Sequence, residues 1–247
     1  MSMPVGLYGK YPAKRDFLAI NLPRAVMSTL ETWLQAGLAI SKERLGSDWH
    51  GLYSIHPIWN FKMGADILGT EVVGSIMPSV DASGRFFPLV ILAHAQAGSA
   101  YPPASAIQNT WFVDVHRRLL SALSENDIPG PDRLLADLGE PSSSPSLPSG
   151  MRPMDGGFRM GIDPAAPSAS LEQFEAGERQ ARGAPSSTFW TTGGQFVAPQ
   201  IISTTGLPDP EIYSVMIGGW DGGNGDRAHV PADGEEQVGP TRPGRIM

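Results

Sequence analysis

Cysteine is absent from this chain of 247 residues. That absence excludes disulfide bonds, thiolate nucleophiles and cysteine-bound zinc. Long apolar runs are also absent, since no segment approaches the roughly 18 residues that span a bilayer. The first residues, MSMPVGLYGKYPAKRDF, lack the basic stretch and the long apolar stretch of a secretory signal. We therefore expect a cytoplasmic protein with no direct insertion into a membrane.

Basic residues are scarce as well. The chain has 18 lysines and arginines against 25 aspartates and glutamates, a formal net charge of −7. Nucleic-acid binders normally carry a basic stripe, so we expect no nucleic-acid partner. None of the five histidines stands at the i, i+4 spacing of a helical metal pair, and no HExxH motif occurs. The sequence therefore predicts no metal, no cofactor and no catalytic residue.

Glycine and proline are abundant, at 29 and 23 residues, which predicts many turns. Apolar residues at helical spacing predict a long helix from Pro23 to a stop at Gly46, and a second from about Pro102 to Glu125 with Leu123 on its apolar face. Short apolar runs predict strands at 4–9, 57–61, 72–77, 86–93, 157–162, 187–192 and 195–202. This alternation favours a layered α/β or α+β domain, with a sheet that is at least partly antiparallel.

The rest of the chain predicts one domain with an appendage. Shorter helices are expected at 131–139, at 171–180 with Ser170 as the N-cap, and at 208–217. The run PSSSPSLPSG at 141–150 has the composition of a flexible loop. From residue 218 onward, few apolar residues and many glycines and prolines predict disorder. We therefore predict a domain over 1–217 and a disordered tail over 218–247.

The chain is organised around Gly74 to Leu92, GSIMPSVDASGRFFPLVIL. Two apolar runs flank a polar centre, and Asp-x-x-Gly between them is typical of a turn. The pattern predicts a hairpin of two buried strands with a charged tip, in which Asp81 and Arg85 lie close enough to pair. Upstream, Lys14, Arg15 and Asp16 form a dense charged cluster in a predicted surface loop over 10–23, anchored by Phe17.

Three interpretations of these polar residues remain open. The cluster at 14–16 is either a solvated loop with a weak local ion pair or a charged surface placed for a partner. Ser79 and Asp81 at the tip would serve a hydrolase only with a general base nearby, and His94 lies at the far end of the second strand. Lys10, Arg15 and Arg85 would suit a bound anion, although GLYGK lacks the Ser or Thr and the glycine spacing of a phosphate loop.

Four segments, taken in order, carry a family resemblance. They are GLYGKYPAKRDFLAINLPR, HPIWNF, GSIMPSVDASGRFFPL and, more loosely, STFWTT at 187–192, where Phe189 stands for the first Trp of a Ser…Trp-Trp-Thr pattern. Together these segments resemble the TagF family of proteins associated with bacterial type VI secretion.

The resemblance implies a fold, a role and a partner. The implied fold is a single α/β/α sandwich, with a mixed, partly antiparallel sheet flanked by helices. The implied role is that of a cytoplasmic, non-enzymatic accessory protein that represses secretion after translation by binding a forkhead-associated scaffold protein. No catalytic residue is carried over. The motif residues would form one surface, or the scaffold beneath it: Lys14, Arg15, Asp16, Ser79, Asp81, Arg85 and Trp190.

Overall fold

A computed structural model describes residues 5–96, 101, 104, 107, 109–124, 128–139, 141, 152–154, 157–182 and 187–219. The described strands are β1 (Val5–Lys10), β2 (Phe17–Ile20), β3 (Trp59–Met63), β4 (Val72–Met77), β5 (Leu89–His94), β6 (Arg152–Met154), β7 (Gly157–Gly161), β8 (Ser187–Thr191) and β9 (Gln200–Thr204). The described α-helices are α1 (Arg24–Leu45), α2 (Trp49–Ile55), α3 (Ala65–Leu68), α4 (Asn109–Ser121), α5 (Pro131–Leu135), α6 (Pro167–Arg182) and α7 (Ile212–Gly218).

The strands form one sheet in the order β2-β1-β5-β4-β3-β8-β9-β7-β6. Every pairing among the described strands is antiparallel. The predicted α/β fold is confirmed, and so is the predicted hairpin, with β4 and β5 paired from Val72↔His94 to Met77↔Leu89. The sheet is more uniformly antiparallel than the expected mixed sheet. Neighbouring strands such as β3, β4 and β5 follow one another through short connections, which return the chain in the opposite direction.

Strand alternation divides the buried side chains into two clusters, because successive residues of a strand point to opposite faces of the sheet. The first core joins one set of strand residues to α1, α2 and α7, and includes Tyr8, Trp33, Tyr53, Trp59 and Tyr213. The second core joins the alternate set to α4, α5 and α6, and includes Leu7, Tyr11, Trp111, Phe174 and Trp190. Helices therefore contribute to the packing on both faces of the sheet.

Helix α1 follows its sequence pattern. Residues at helical spacing are buried along one side: Val26, Leu30, Trp33, Leu34, Leu38 and Leu45. Pro23 stands just before the first turn, where its missing N–H costs nothing. Gly46 ends the helix with φ 53°, a conformation that favours glycine. Both predicted ends of this helix are confirmed.

Two details of the predicted helices are wrong. Leu123 does not face the core: α4 ends at Ser121, and the Leu123 side chain is 44% exposed in the turn that follows. Ser170 is not an N-cap, because α6 already begins at Pro167. The Ser170 hydroxyl instead donates to the carbonyl of Ala166 and accepts from the amide of Asp163.

The predicted surface loop over 10–23 also needs correction, because its second half is strand β2, paired with β1. A four-residue strand gives too short an alternation to be recognised in sequence. The short elements α2, α3 and β6 also escaped prediction, because so few residues do not show a clear helical or strand period. The second strand of the last hairpin, β9, begins at Gln200 rather than at residue 195. The predicted flexible loop, apart from Pro141, and the predicted tail from residue 220 onward lie outside the described residues.

Candidate functional site

The hairpin tip, residues 79–85, is folded tightly by its own backbone. An isolated bridge between Val80 and Phe86 continues the hairpin beyond β4 and β5. The Asp81 amide donates to the Arg85 carbonyl at 3.1 Å, and the Gly84 amide donates to the Asp81 carbonyl at 2.9 Å. Gly84 completes the turn with φ 78°, as the Asp-x-x-Gly pattern predicts. The tip therefore has a fixed backbone.

Asp81 is the centre of this structure, and its side chain is fully buried. Its Oδ1 accepts hydrogen bonds from the amide of Ser83, the hydroxyl of Ser83 and the amide of Arg85, at 2.9, 2.8 and 3.0 Å. Its Oδ2 pairs with the Lys10 ammonium and with Arg85 Nε, the latter at 2.8 Å. Every acceptor direction of the carboxylate is thus turned toward a donor. The predicted Asp81–Arg85 pair is present.

Burial by itself would raise the pKa of Asp81. The hydrogen bonds from Lys10, Arg85 and Ser83 outweigh burial and hold the pKa well below its usual value. Asp81 is therefore a fixed anion whose charge is balanced within the protein. A carboxylate in this state is unsuited to accept a proton as a general base near neutral pH.

Lys10 is the partner of Asp81 that sequence reasoning missed. As the last residue of β1, its side chain is buried, and its ammonium group lies 4.5 Å from the ring centroid of Phe17. The Phe17 ring in turn stacks on Tyr8 and meets Phe87 edge-on, with centroids 6.3 and 4.8 Å away. Phe17 thus covers the buried ion pair. Strand alternation was the available signal, since it places Lys10 on the same face as Tyr8.

Glycine at position 9 allows this arrangement. Gly9 has φ +122°, and a Cβ there would lie 1.9 Å from the carbonyl oxygen of Pro88. Only glycine permits such an approach of β1 to the start of β5. The close approach brings Lys10 beneath the hairpin tip. Gly9 therefore serves packing, and Lys10, whose charge is paired with Asp81, does not support the anion-binding interpretation.

The charged loop, residues 14–16, touches the hairpin tip through its backbone. The carbonyl of Lys14 accepts from the amide of Ala82 at 3.0 Å, and the carbonyl of Arg15 accepts from Arg85 Nη2. The side chains of Lys14, Arg15 and Asp16 are exposed. None of these three takes part in a described ion pair, so the local Arg15–Asp16 pair is not formed. The loop and the tip are joined through the carbonyls of Lys14 and Arg15 and not through ion pairs of the loop side chains.

Ser79 is buried within this framework. Its hydroxyl donates to the carbonyl of Lys10 at 2.8 Å, while its backbone bonds the Tyr53 hydroxyl. His94, the candidate base, instead bonds the carbonyl of Asn21 at 3.2 Å. Among the described contacts of Ser79 Oγ no histidine, lysine ammonium or carboxylate occurs. The hydrolase interpretation therefore gains no support from this geometry.

Trp190 does not join the other candidate residues. It is 2% exposed and lies in the second core, where its ring meets Phe112 at 5.0 Å. Lys10 follows Tyr8 along the face of β1 that belongs to the first core. Trp190 is therefore a packing residue on the other side of the sheet, and the expected single constellation does not include it.

The described residues contain neither a cluster suited to a metal ion nor a helix suited to span a membrane. In that part of the chain, no group of three or more His, Cys, Asp or Glu side chains is arranged to hold a metal ion. Likewise, none of the helices described there is both long and apolar enough to cross a membrane.

Comparisons with known proteins place the chain in a family. The model of the TagF N-terminal domain, described as type VI secretion system-associated, matches residues 6–137. The crystal structure of PA0076 from Pseudomonas aeruginosa PAO1, solved at 2.05 Å, is similar with a TM-score of 0.66 and 26% sequence identity. That alignment covers 92% of this chain and 100% of the other. A search of curated proteins finds no match. The chain therefore belongs to the TagF family of type VI secretion system-associated proteins.

Proposed function

We propose that this protein is a cytoplasmic, non-enzymatic regulator that represses type VI secretion after translation, by binding a forkhead-associated scaffold protein. The association with type VI secretion follows from the family. The regulatory role and the partner are extensions suggested by the family resemblance. The surface we assign to binding is the charged loop together with the exposed guanidinium of Arg85.

One observation carries the assignment of the surface. The charged loop is held by backbone hydrogen bonds to the hairpin tip, yet Lys14 and Arg15 keep exposed side chains outside any described ion pair. A loop whose backbone is already ordered loses little entropy on binding. Cations that are not engaged inside the protein remain available to a partner. A fixed backbone with free charged side chains favours recognition over a purely structural role.

The test is a direct affinity measurement with the purified scaffold protein. We expect the double variant Lys14→Glu, Arg15→Glu to weaken binding by at least about tenfold, because reversing rim charges creates repulsion across the interface. Arg117→Glu is a charge-reversal control elsewhere on the surface: Arg117 is also exposed, pairs only with the neighbouring Asp114 among the described ion pairs, and lies on α4, which packs into the second core. Unchanged affinity in the double variant, with wild-type circular dichroism, would place the binding surface elsewhere.

The repressor role is tested in a secretion-competent cell. Overproduction of the wild-type chain is expected to lower type VI secretion into the medium, and the double variant at equal abundance is expected not to. Ser79→Ala, at matched abundance, should still repress if no catalysis by Ser79 is involved. Increased secretion on overproduction of the wild type would contradict repression.

A further inference from the structure

Strand β2 forms one edge of the sheet. It pairs with β1 on one side, from Leu7↔Ile20 to Lys10↔Phe17. No described backbone hydrogen bond joins residues 17–20 to any segment on its other side. An unpaired strand edge presents a row of donors and acceptors that another extended segment can use.

The direction in which each amide and carbonyl of β2 points follows from its pairing with β1. The carbonyl of Val5 accepts from the Asn21 side chain, and the amide of Lys10 donates to Pro88 on the opposite side of β1. Because backbone groups point alternately to the two sides of a strand, the amides and carbonyls of Leu7 and Gly9 point toward β2. Their register partners, Ile20 and Leu18, therefore use their amides and carbonyls within the sheet. The amides and carbonyls of Phe17 and Ala19 face the open edge.

Strand β2 lacks the features that commonly block additional pairing at the edge of a sheet. Proline and charge are two devices by which natural sheets block additional pairing at an edge. Strand β2 has the sequence FLAI, without proline, charge or glycine. Its Phe17 side chain is 44% exposed.

Charge selects among the segments that this edge would accept. Lys14 and Arg15 lie just before β2, separated from it by the exposed Asp16. Arg85, which pairs with the buried Asp81, donates to the carbonyl of Arg15 in the same loop and keeps its side chain 58% exposed. These three cations outnumber the single carboxylate of Asp16, so the loop keeps a local positive rim on a chain whose net charge is −7. A second copy of the chain would bring another positive rim to the same interface. An acidic segment would meet complementary charge.

We propose that β2 is the receiving edge for an extended, acidic segment of a protein partner, which adds a further strand beside Phe17–Ile20 and places its carboxylates at Lys14 and Arg15. Main-chain hydrogen bonds to Phe17 and Ala19 supply the pairing, and the rim supplies the preference for acidic residues. The inference rests on the proposed function, in which the charged loop is the binding surface, and it assigns the partner's conformation and charge.

The primary test uses a synthetic probe rather than the scaffold protein. A capped peptide of alternating Glu and Val is titrated into the isotope-labelled full chain, followed by NMR, with a Lys–Val peptide as the charge control. We expect amide shift changes centred on residues 14–20 with the acidic peptide and none with the basic one. Absence of shifts at Phe17 and Ala19 at millimolar acidic peptide would overturn the proposal.

A matched pair of variants tests main-chain pairing. Ala19→Pro removes an outward-facing amide without breaking the pairing with β1, whereas Ala19→Thr keeps that amide and also suits a strand. Binding of the acidic peptide should fall at least about tenfold in Ala19→Pro and stay near wild type in Ala19→Thr. Equal binding by both variants, or concentration-dependent self-association through residues 17–20, would overturn the proposal.

The scaffold protein separates this inference from the function on which it rests. If the scaffold binds wild type and Ala19→Pro equally, the function stands and the strand-addition inference fails. If the scaffold does not bind the wild type while the acidic peptide binds β2, the assigned scaffold partner is wrong and the receiving edge stands.

Discussion

At the scale of single residues, the chain stabilises its hairpin tip with a buried charge network. Asp81 receives donors from its own turn and from Lys10, which is distant in sequence. Removal of one member would leave its partner buried and unpaired, which is costly. A variant that removes Asp81 would therefore lose folding as well as any binding, so it cannot separate the two. Charge reversal at Lys14 and Arg15 is the cleaner test, since both side chains are exposed.

His56 makes stability depend on pH at the same scale. Burial lowers the pKa of His56 from 6.5 to about 4, only partly offset by its hydrogen bond to Pro57. Between these two pKa values the unfolded chain binds a proton at His56 and the folded chain does not. The free energy of unfolding is therefore at its full value above pH 6.5 and falls as the pH falls toward 4. With about 1.4 kcal/mol per pKa unit, the loss reaches up to roughly 3 kcal/mol.

Urea unfolding between pH 7 and pH 4.5 checks this prediction. His56→Gln, which keeps a donor for Pro57 but does not titrate, should flatten the wild-type decline. A smaller slope should remain, because burial also lowers the pKa of His116 to about 4. A wild-type free energy of unfolding that is constant across this range would contradict the assignment. The Asp81 network adds its own loss only at lower pH, since its pKa is held below the usual value.

At the scale of elements, the close packing of α1 against α7 depends on one small residue. Gly37 lies in the middle of α1, and a Cβ there would lie 2.7 Å from Cβ of Tyr213 on α7. The neighbouring Trp33 donates to the carbonyl of Pro208 at 2.8 Å, and Trp59 donates to the carbonyl of Met216 at 3.1 Å. The first bond holds the segment before α7 to α1, and the second holds α7 to β3, so the helix has little freedom to move away.

Gly37→Ala is therefore expected to destabilise the protein. Helix propensity alone predicts a gain of about 1 kcal/mol from this change. Overpacking against α7 predicts a loss of stability of roughly 1–3 kcal/mol. We expect this loss to exceed the gain, because the clash involves a Cβ, which is fixed to the backbone and cannot turn away. Thermal unfolding of Gly37→Ala and of the wild type measures whether the change lowers or raises stability, and we expect a lowered midpoint. A raised midpoint would show that α7 shifts without cost.

At the scale of the whole molecule, the sheet extends across the limit of the family match. The TagF N-terminal domain matches residues 6–137, yet β3 within that range pairs with β8 outside it. Phe189 on β8 packs on Phe61 and Trp33, with ring centroids 5.9 and 5.5 Å away. The first core also draws on Ile202 and Tyr213. The matched range alone lacks part of its own core.

A fragment of residues 1–139 is therefore not expected to fold by itself. Loss of β8 would expose the edge of β3 and leave Phe61 and Trp33 without their covering ring. We expect either an uncooperative thermal transition by circular dichroism or association on size-exclusion chromatography, with the full chain as the control. A monomeric fragment with a sharp cooperative transition would show that the first core closes without the later strands.

The sequence by itself determined the elements whose patterns are long or strongly punctuated. Helix α1 was predictable because six apolar residues repeat at helical spacing between Pro23 and Gly46. The β4–β5 hairpin and its Asp81–Arg85 pair were predictable because the apolar runs and the turn are contiguous. The family resemblance followed from three motifs in order before residue 95 and, more loosely, from STFWTT at 187–192. The helix and the hairpin each depend on interactions between residues that are close in the chain.

The tertiary structure alone decided which distant residues meet. The pairing of Lys10 with Asp81 and the contact of the charged loop with the tip depend on β1 lying beside β5. Sheet order also placed Trp190 in the second core and left β2 at an edge. Neither local propensity nor hydrophobic period encodes the order of strands in a sheet, since that order is set by how distant segments bury their apolar faces together.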